Sequence, residues 1–255
     1  MSFNRFSVKF GGESGQGINS VGEIFAKTLA ETNYNIFAYR EYPSLIKGGV
    51  ASYQIDFSNK KVNSSQRGCN VLISLTQESF NSYLTTLEEK GIVIHNLENL
   101  EISEEQEEAI KEKDLHIVKI DTATIIKEIG ATVIMSNMIL LGFLWRVLGF
   151  ESDTLVKEVL DYFSEKKLDL NILQNAILAG YDSPSFRPEL SKSIDIPQKP
   201  LLKKPKYIIS GNESIALGAI GCGVRAYYAY PMTPATSIFK FLGETATETG
   251  ILVKQ

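Results

Sequence analysis

The sequence predicts an α/β fold built on a largely parallel sheet flanked by helices, and three observations carry that prediction. Short apolar strand-like runs alternate with amphipathic helical stretches from Arg5 to Lys166. A glycine-rich turn separates the first strand pattern from the first helical one. Five of the eight prolines fall between Pro184 and Pro205, and beyond them a strand-and-helix pattern begins again.

Arg5 to Phe10 alternates as a strand, and Ser20 to Glu31 carries Val21, Ile24, Phe25, Thr28 and Leu29 at helical spacing. Further strands are expected at Ile36 to Tyr39, Val50 to Phe57, Val71 to Leu75, Ile92 to His95 and His116 to Ile120, with a helix over Ser79 to Lys90. The acidic run from Leu97 to Asp114 reads as a solvated helix or loop. Ala131 to Phe150 is the most apolar stretch, but Ser136, Asn137 and Arg146 interrupt it, so it reads as a buried core helix with Asn137 a hydrogen-bonded amide. Asp153 to Lys166 presents Leu155, Val159, Leu160, Tyr162 and Phe163 on one apolar face.

The proline-rich stretch, mixed with Ser, Lys and Asp, reads as an extended linker. After it come a strand over Tyr207 to Ser210, a helix from Asn212 to Tyr227 with Asn212 as its N-cap, a proline loop, a helix from Ser237 to Thr247 and a strand over Gly250 to Lys254. This gives a first domain over 1–182, a linker over 183–205 and a second unit over 206–255. About fifty residues rarely sustain a core alone. The second unit is therefore expected to need further sequence or another chain.

Composition narrows the function. The 255 residues are 44% apolar, enough for one core and the start of a second. Twenty-six basic against 30 acidic side chains leave a formal charge of -4 and no broad basic field, so nucleic acid is not an expected partner. The opening residues lack the apolar run of a signal peptide, which points to the cytoplasm, and no membrane association is expected. Cys69 and Cys222 stand far apart outside any C-x-x-C, so this chain is not expected to hold an iron–sulfur cluster. His95 and His116 sit beside aliphatic residues without metal-ligand spacing; both read as structural, and no metal site is expected.

Four stretches carry chemistry. Gly11-Gly-Glu-Ser-Gly-Gln-Gly17 stands at the first strand-to-helix turn, where helix N–H groups can receive a phosphate or carboxylate. Its G-x-x-G-x-G spacing is not the dinucleotide fingerprint, so a tight turn and a ligand-contacting turn both remain open. Tyr39-Arg-Glu-Tyr-Pro-Ser-Leu-Ile-Lys-Gly-Gly49 brings Arg40 and Lys47 to a loop that serves either as an anion-binding crevice or as a solvated connection. Gly218, Gly221 and Gly223 allow close approach by a helix or a cofactor. In Tyr230-Pro-Met-Thr-Pro234 the prolines restrict Thr233 just ahead of a helix, where its hydroxyl could receive a carboxylate or cap the turn.

Taken together these stretches resemble the 2-oxoacid:ferredoxin (acceptor) oxidoreductases, in particular the α subunit whose γ domain is fused ahead of the thiamine-pyrimidine domain. GGESGQGINSVGEIFAKTL resembles the γ domain's G-x-G-G-Q-G turn and helix, and REYPSLIKGGVASYQI its R-x-Y-P-S-x-I-R-G-G loop. SNMILLGFL is similar to its N-M-x-x-L-G helix. GNESIALGAIGCGVRAYYAYPMTPATSI is similar to the start of the α domain, G-N-E-A-I-A-L-G-A followed by Y-P-I-T-P-S-T. Lys47 stands where Arg is usual, Met232 where Ile is common and Ala229 in place of a Gly.

The resemblance implies a Rossmann-like γ domain followed by the incomplete start of a thiamine-diphosphate pyrimidine-binding α/β domain. It implies oxidative decarboxylation of a 2-oxoacid with coenzyme A to an acyl-CoA, or the reverse. Having γ ahead of α is similar to the 2-oxoglutarate and broad-range enzymes. Thr233 and Tyr230 then bind substrate, with Pro231 and Pro234 shaping the pocket by the pyrimidine ring. Gly12, Gly15, Gly17, Arg40 and Lys47 approach coenzyme A. A β subunit shares thiamine diphosphate and its Mg2+ and carries the iron–sulfur cluster, and ferredoxin accepts the electrons. The family's catalytic glutamate is expected just after Gln255, so the chain reads as truncated and inactive alone. The alternative is a non-catalytic γ-like binding or assembly module.

Overall fold

Phe6, Val8 and Phe10 alternate with Ser7, Lys9 and Gly11 to build strand β1 (Phe6–Gly12), buried along its whole length near the middle of a six-stranded sheet. This is a computed structural model, and it describes residues 4–42, 49–166, 168–200 and 207–255. Helix α1 (Ile18–Glu31) buries Val21, Ile24, Phe25, Thr28 and Leu29, the face its spacing predicts. Strands β2 (Asn35–Glu41) and β3 (Ala51–Ser58) pair antiparallel, and β3 runs antiparallel to β1. Strand β4 (Cys69–Ser74) then lies parallel to β1 on its other side.

The helix expected over Ser79–Lys90 is shorter: α2 spans Gln77–Tyr83, a 3-10 turn follows over Leu84–Thr86, and Leu87 opens strand β5 (Leu87–His95). Leu87 pairs with Cys69 of β4, and the ladder shifts register before it resumes at Val71 and Ile92. Tertiary pairing thus overrides the helical propensity of Leu-Glu-Glu-Lys. Helix α3 (Glu104–Glu112), in the acidic run, buries none of its residues, and β6 (His116–Lys119) completes the sheet parallel to β5. The order is β2-β3-β1-β4-β5-β6, so the expected sheet of mainly parallel ladders is present, with an antiparallel β2–β3 edge.

Helices α4 (Thr122–Ile129), α5 (Ser136–Val147), α6 (Ser152–Phe163) and α7 (Leu170–Tyr181) follow. The apolar stretch read as one helix is a 3-10 turn over Val133–Met135 followed by α5. Phe25 of α1 packs edge-on against Phe10, Phe57 and Trp145, at 5.6, 6.5 and 6.0 Å between ring centroids. Helices α5 and α7 cross at glycines: a methyl group on Gly142 would run into the backbone of Ile177, and one on Gly180 into the carbonyl of Ile139. Within the proline-rich stretch a short helix, α8 (Pro188–Ser193), buries Leu190, and Ile194 and Ile196 pack on the same core.

The chain divides into two compact units, Met1–Lys204 and Pro205–Gln255. In the second, helix α9 (Gly211–Gly221) is capped by Ser210, which exchanges two hydrogen bonds with Glu213, and not by Asn212. The helix stops at Gly221, and strand β7 (Ala226–Tyr228) follows where helix is expected. Helices α10 (Thr236–Glu244) and α11 (Ala246–Thr249) lead to β8 (Leu252–Lys254), parallel to β7. Tyr207–Ser210, expected as a strand, pairs with neither β7 nor β8 and stays outside the sheet. Ala216, Leu242 and Ile251 form a small core, while Ile215, Leu217 and Leu252 remain exposed. Gly218, Gly221 and Gly223 have open space where a side chain would stand, so no helix of this unit packs on them.

Candidate functional site

The cross-strand register aligns Glu41, Ser52, Gly11, Ser74, His95 and Lys119 in one row across the carboxyl edge of the parallel strands. The glycine turn leaves from the middle of that row, the position at which open α/β sheets receive ligands. A methyl group on Gly12 would stand 2.5 Å from Oε1 of Gln16 and 3.0 Å from Cβ of Leu75, so a side chain here would displace the Gln16 amide. That same Oε1 accepts the Glu13 N–H at 2.8 Å, so Gln16 folds back and closes the turn. Gly15 and Gly17 have φ of +95° and +79°, a region that glycine enters without steric cost.

Gly17 caps α1 without a side chain, so the first N–H groups of the helix are left for solvent or ligand. From α5, Asn137 Nδ2 donates to the Gln16 carbonyl at 2.6 Å. Beside it lies a groove of about 350 Å3, lined by Gly17, Ser20, Asn137, Ile134, Phe163 and Lys166. Among the described residues its lining mixes apolar side chains with Ser20, Asn137 and the cation of Lys166. Lys166 stands over the Phe163 and Tyr162 rings at 4.7 and 4.9 Å.

Arg40 leaves β2 at the same edge, but its charge is engaged. Nη2 donates to Glu23 Oε1 at 2.5 Å and to the Tyr53 hydroxyl at 3.2 Å, and the guanidinium lies 4.4 Å from the centre of the Tyr53 ring. Tyr162 donates to the other oxygen of Glu23 at 3.1 Å, which ties α6 into the cluster. Burial, the largest single influence, works against the charge on Arg40, but Tyr53, Tyr42 and Glu23 together outweigh it and hold its pKa above the ordinary value. Lys47 lies outside the described residues.

On the opposite sheet face a second polar cluster escaped the sequence reading. Glu41 Oε2 accepts from Ser52 Oγ at 2.5 Å and from the Tyr83 hydroxyl at 3.1 Å, and stands 3.7 Å from Lys9 Nζ. Lys9 is buried and lies 4.3 Å from the centre of the Tyr83 ring. Partial burial pushes the Glu41 carboxyl up, but Ser52 and Lys9 outweigh it and leave its pKa below the usual range. A lysine inside an alternating strand was the available signal; its carboxylate partner, two strands away, was not legible.

In the second unit the loop Tyr230–Pro234 joins β7 to α10. Tyr230 is 80% and Met232 66% exposed, and Thr233 is exposed as well, with its hydroxyl bonded to none of the described residues. The Thr233–Pro234 peptide is cis. Helix α10 starts two residues beyond Thr233, at the N-cap Ala235, with no side-chain cap; Ile238 N donates to the Ala235 carbonyl at 3.0 Å. Asn212 on α9 fastens the loop: Nδ2 donates to the Pro234 carbonyl at 2.7 Å and to Ser237 Oγ at 2.6 Å. Each unit thus combines a glycine or proline turn, an uncapped helix start and an asparagine that ties the turn down.

Among the described residues no three His, Cys, Asp or Glu side chains are grouped so as to hold a metal ion, and no helix is long and apolar enough to cross a membrane. Cys69 is buried and Cys222 exposed. His95 is buried with Nδ1 unpartnered among the described residues, and burial, then Lys119, pulls its pKa down to about 4.

Comparison with known proteins gives concordant matches. A family profile described as "Pyruvate ferredoxin/flavodoxin oxidoreductase" matches residues 7–183. The chain is 28% identical over a 266-residue alignment to the 2-oxoacid:ferredoxin oxidoreductase subunit alpha of Sulfolobus sp, covering 91% of this chain and 41% of the relative. It is 24% identical to 2-oxoglutarate oxidoreductase subunit KorA of Mycobacterium tuberculosis, covering 93% and 40%. The chain therefore spans about two fifths of the length of these relatives. Among solved structures, 2-oxoglutarate:ferredoxin oxidoreductase from Magnetococcus marinus, with 2-oxoglutarate, coenzyme A and succinyl-CoA bound, superposes with a TM-score of 0.77 at 24% identity, over 100% of this chain and 44% of that one. A keto/oxoacid ferredoxin oxidoreductase gamma subunit from Geobacter sulfurreducens matches 70% of this chain and 95% of its own, with a TM-score of 0.56 at 20% identity. At these identities the two structures speak to the fold.

Proposed function

Because the chain belongs to the pyruvate ferredoxin/flavodoxin oxidoreductase family, we propose that it is a subunit of a 2-oxoacid:ferredoxin oxidoreductase. The enzyme converts a 2-oxoacid, coenzyme A and oxidised ferredoxin to acyl-CoA, CO2 and reduced ferredoxin, with 2-oxoglutarate or a broad range of 2-oxoacids as substrate. In this reading residues 1–182 are a γ-type domain, 183–205 a linker and 206–255 the first part of a thiamine-pyrimidine domain. A β subunit completes the thiamine diphosphate and Mg2+ site and carries the iron–sulfur cluster, and the complex works in the cytoplasm.

Thiamine diphosphate, when bound, supplies the electron sink that lets a 2-oxoacid lose CO2. This chain's own part is to bind and orient. Thr233 donates its hydroxyl to the substrate carboxylate, the free N–H groups at the start of α10 favour the same negative charge, and Tyr230, Pro231 and Pro234 form the wall beside the pyrimidine. The donor set fits a carboxylate: a hydroxyl with no partner among the described residues precedes, by two residues, the N-cap of a helix that lacks a side-chain cap. In the first unit Gly17 lines the groove, where Lys166 adds a cation suited to a phosphate of coenzyme A, and Gly12 and Gly15 belong to the turn that leads into it. Arg40 and Lys47 belong to the same approach, Arg40 with its charge shared with Glu23.

The observation that carries the site assignment is the exposed Thr233 hydroxyl, held ahead of α10. A Thr233→Val change in the assembled enzyme is expected to raise the KM for the 2-oxoacid about 3- to 10-fold, the worth of one hydrogen bond. Unchanged KM and kcat would remove Thr233 from the site.

A further inference from the structure

We propose that Asn212 is the positioning residue of the substrate loop, setting the pose of Thr233 through the carbonyl of Pro234; this rests on the reading of Thr233 as the carboxylate contact. The loop cannot fix itself. Pro231 and Pro234 have no N–H, and Ala235 N donating to the Met232 carbonyl at 2.9 Å closes a single turn of it. The carbonyl of Pro234, one residue beyond Thr233, is taken by Asn212 Nδ2 at 2.7 Å. A carbonyl only accepts, so this contact fixes which way the amide faces. The second hydrogen of the same NH2 goes to Ser237 Oγ at 2.6 Å, in the first turn of α10.

Asn212 is itself held. It is the second residue of α9, where Ser210 and Glu213 exchange hydrogen bonds of 3.1 and 2.7 Å across the helix start. A rigid helix end therefore grips the peptide that follows Thr233, and the geometry of a binding hydroxyl depends on such support. Ser237 separates this role from simple helix stapling. Losing its hydroxyl removes the bond to α10 and keeps the bond to the loop.

The test uses the enzyme assembled with its partner subunit and Asn212→Ala, Asn212→Asp, Ser237→Ala, Thr233→Val and the Asn212→Ala/Thr233→Val pair. Asn212→Ala is expected to raise the KM for the 2-oxoacid about 3- to 10-fold with kcat within about 2-fold, and to leave the KM for coenzyme A unchanged. Asn212→Asp should do more harm, because a carboxylate oxygen then faces the Pro234 carbonyl. Ser237→Ala should leave the KM within about 2-fold, and the paired change should add little to Thr233→Val alone. Full additivity where Thr233→Val itself raises the KM, or a Ser237→Ala effect equal to that of Asn212→Ala, overturns the inference. A crystal structure of the Asn212→Ala enzyme judges it independently of Thr233. Residues 230–234 shifted from their wild-type pose support it even if Thr233→Val is silent, an outcome that defeats only the substrate contact; an unshifted loop overturns it.

Discussion

Asn137, on the buried helix α5, donates its amide to the main-chain carbonyl of Gln16 at 2.6 Å and so ties the glycine turn to the core behind it. A methyl group on Gly17 would stand 3.0 Å from that same amide nitrogen, so the glycine and the asparagine fit each other. Asn137→Ala is expected to lower the unfolding free energy by about 1 kcal/mol, the net worth of one hydrogen bond. Urea unfolding of the two proteins measures it, and Asn137→Asp should not restore stability, because a carboxylate offers the carbonyl no hydrogen.

The α5–α7 crossing is expected to be far less forgiving. Gly142→Ala and Gly180→Ala each direct a methyl group into main chain that is itself helical, so one helix must move. A loss of about 3 kcal/mol or more is expected, at the upper end of overpacking effects. Gly130→Ala has open space around it and a φ of +66°, so its smaller loss, about 1 kcal/mol, arises from backbone strain alone. Denaturant midpoints for the three variants rank them.

Arg40 is held by stacking as much as by charge. Its ion pair with Glu23 leaves the two side chains 31% and 38% exposed, and an exposed pair contributes only about 0–1 kcal/mol. Glu23→Gln is therefore expected to change stability by less than about 1 kcal/mol, whereas Arg40→Ala also loses the Tyr53 stack and should cost about 1–2 kcal/mol. A double-mutant cycle between Glu23 and Arg40 reads the pair alone, and added salt should shrink its coupling.

His95 gives the fold a pH dependence. Its pKa falls from an ordinary 6.5 to about 4, through burial and then Lys119, so between those values the unfolded chain binds a proton that the folded chain refuses. Its contribution is complete above about pH 6.5 and is lost as the pH falls towards 4, by roughly 1–3 kcal/mol. His95→Gln cannot titrate and should flatten the difference between unfolding free energies measured at pH 7 and pH 4.5. An unchanged difference would show that His95 is protonated without cost.

Much of this architecture is legible in the sequence because local pattern and tertiary context agree. Phe6, Val8 and Phe10 alternate and are buried; Val21, Ile24, Phe25, Thr28 and Leu29 recur at helical spacing and face the core. The pattern misleads where pairing decides. Leu87-Glu-Glu-Lys90 would suit a helix, but Leu87 has Cys69 beside it across the sheet. The helix Leu170–Tyr181, absent from the sequence expectations, nonetheless carries local signals: Asp169 caps it, and Leu173, Ala176, Ile177 and Gly180 face the core at helical spacing. At the candidate site the glycine turn and the proline loop announce themselves by composition. The asparagines that hold them do not: Asn137 reads as an anonymous core amide and Asn212 as a helix cap, and only the fold brings each to its carbonyl.

The proposed function makes this chain part of an enzyme that oxidises a 2-oxoacid while ferredoxin is reduced. The most direct measurement is reduction of a viologen dye by the purified complex of this subunit with its partner, supplied with coenzyme A and, in turn, 2-oxoglutarate, pyruvate and a branched-chain 2-oxoacid. The account predicts reduction that requires both coenzyme A and at least one of these acids, with two electrons leaving for each acyl-CoA formed. A complex that assembles, carries its cofactors and reduces no dye with any 2-oxoacid would contradict it.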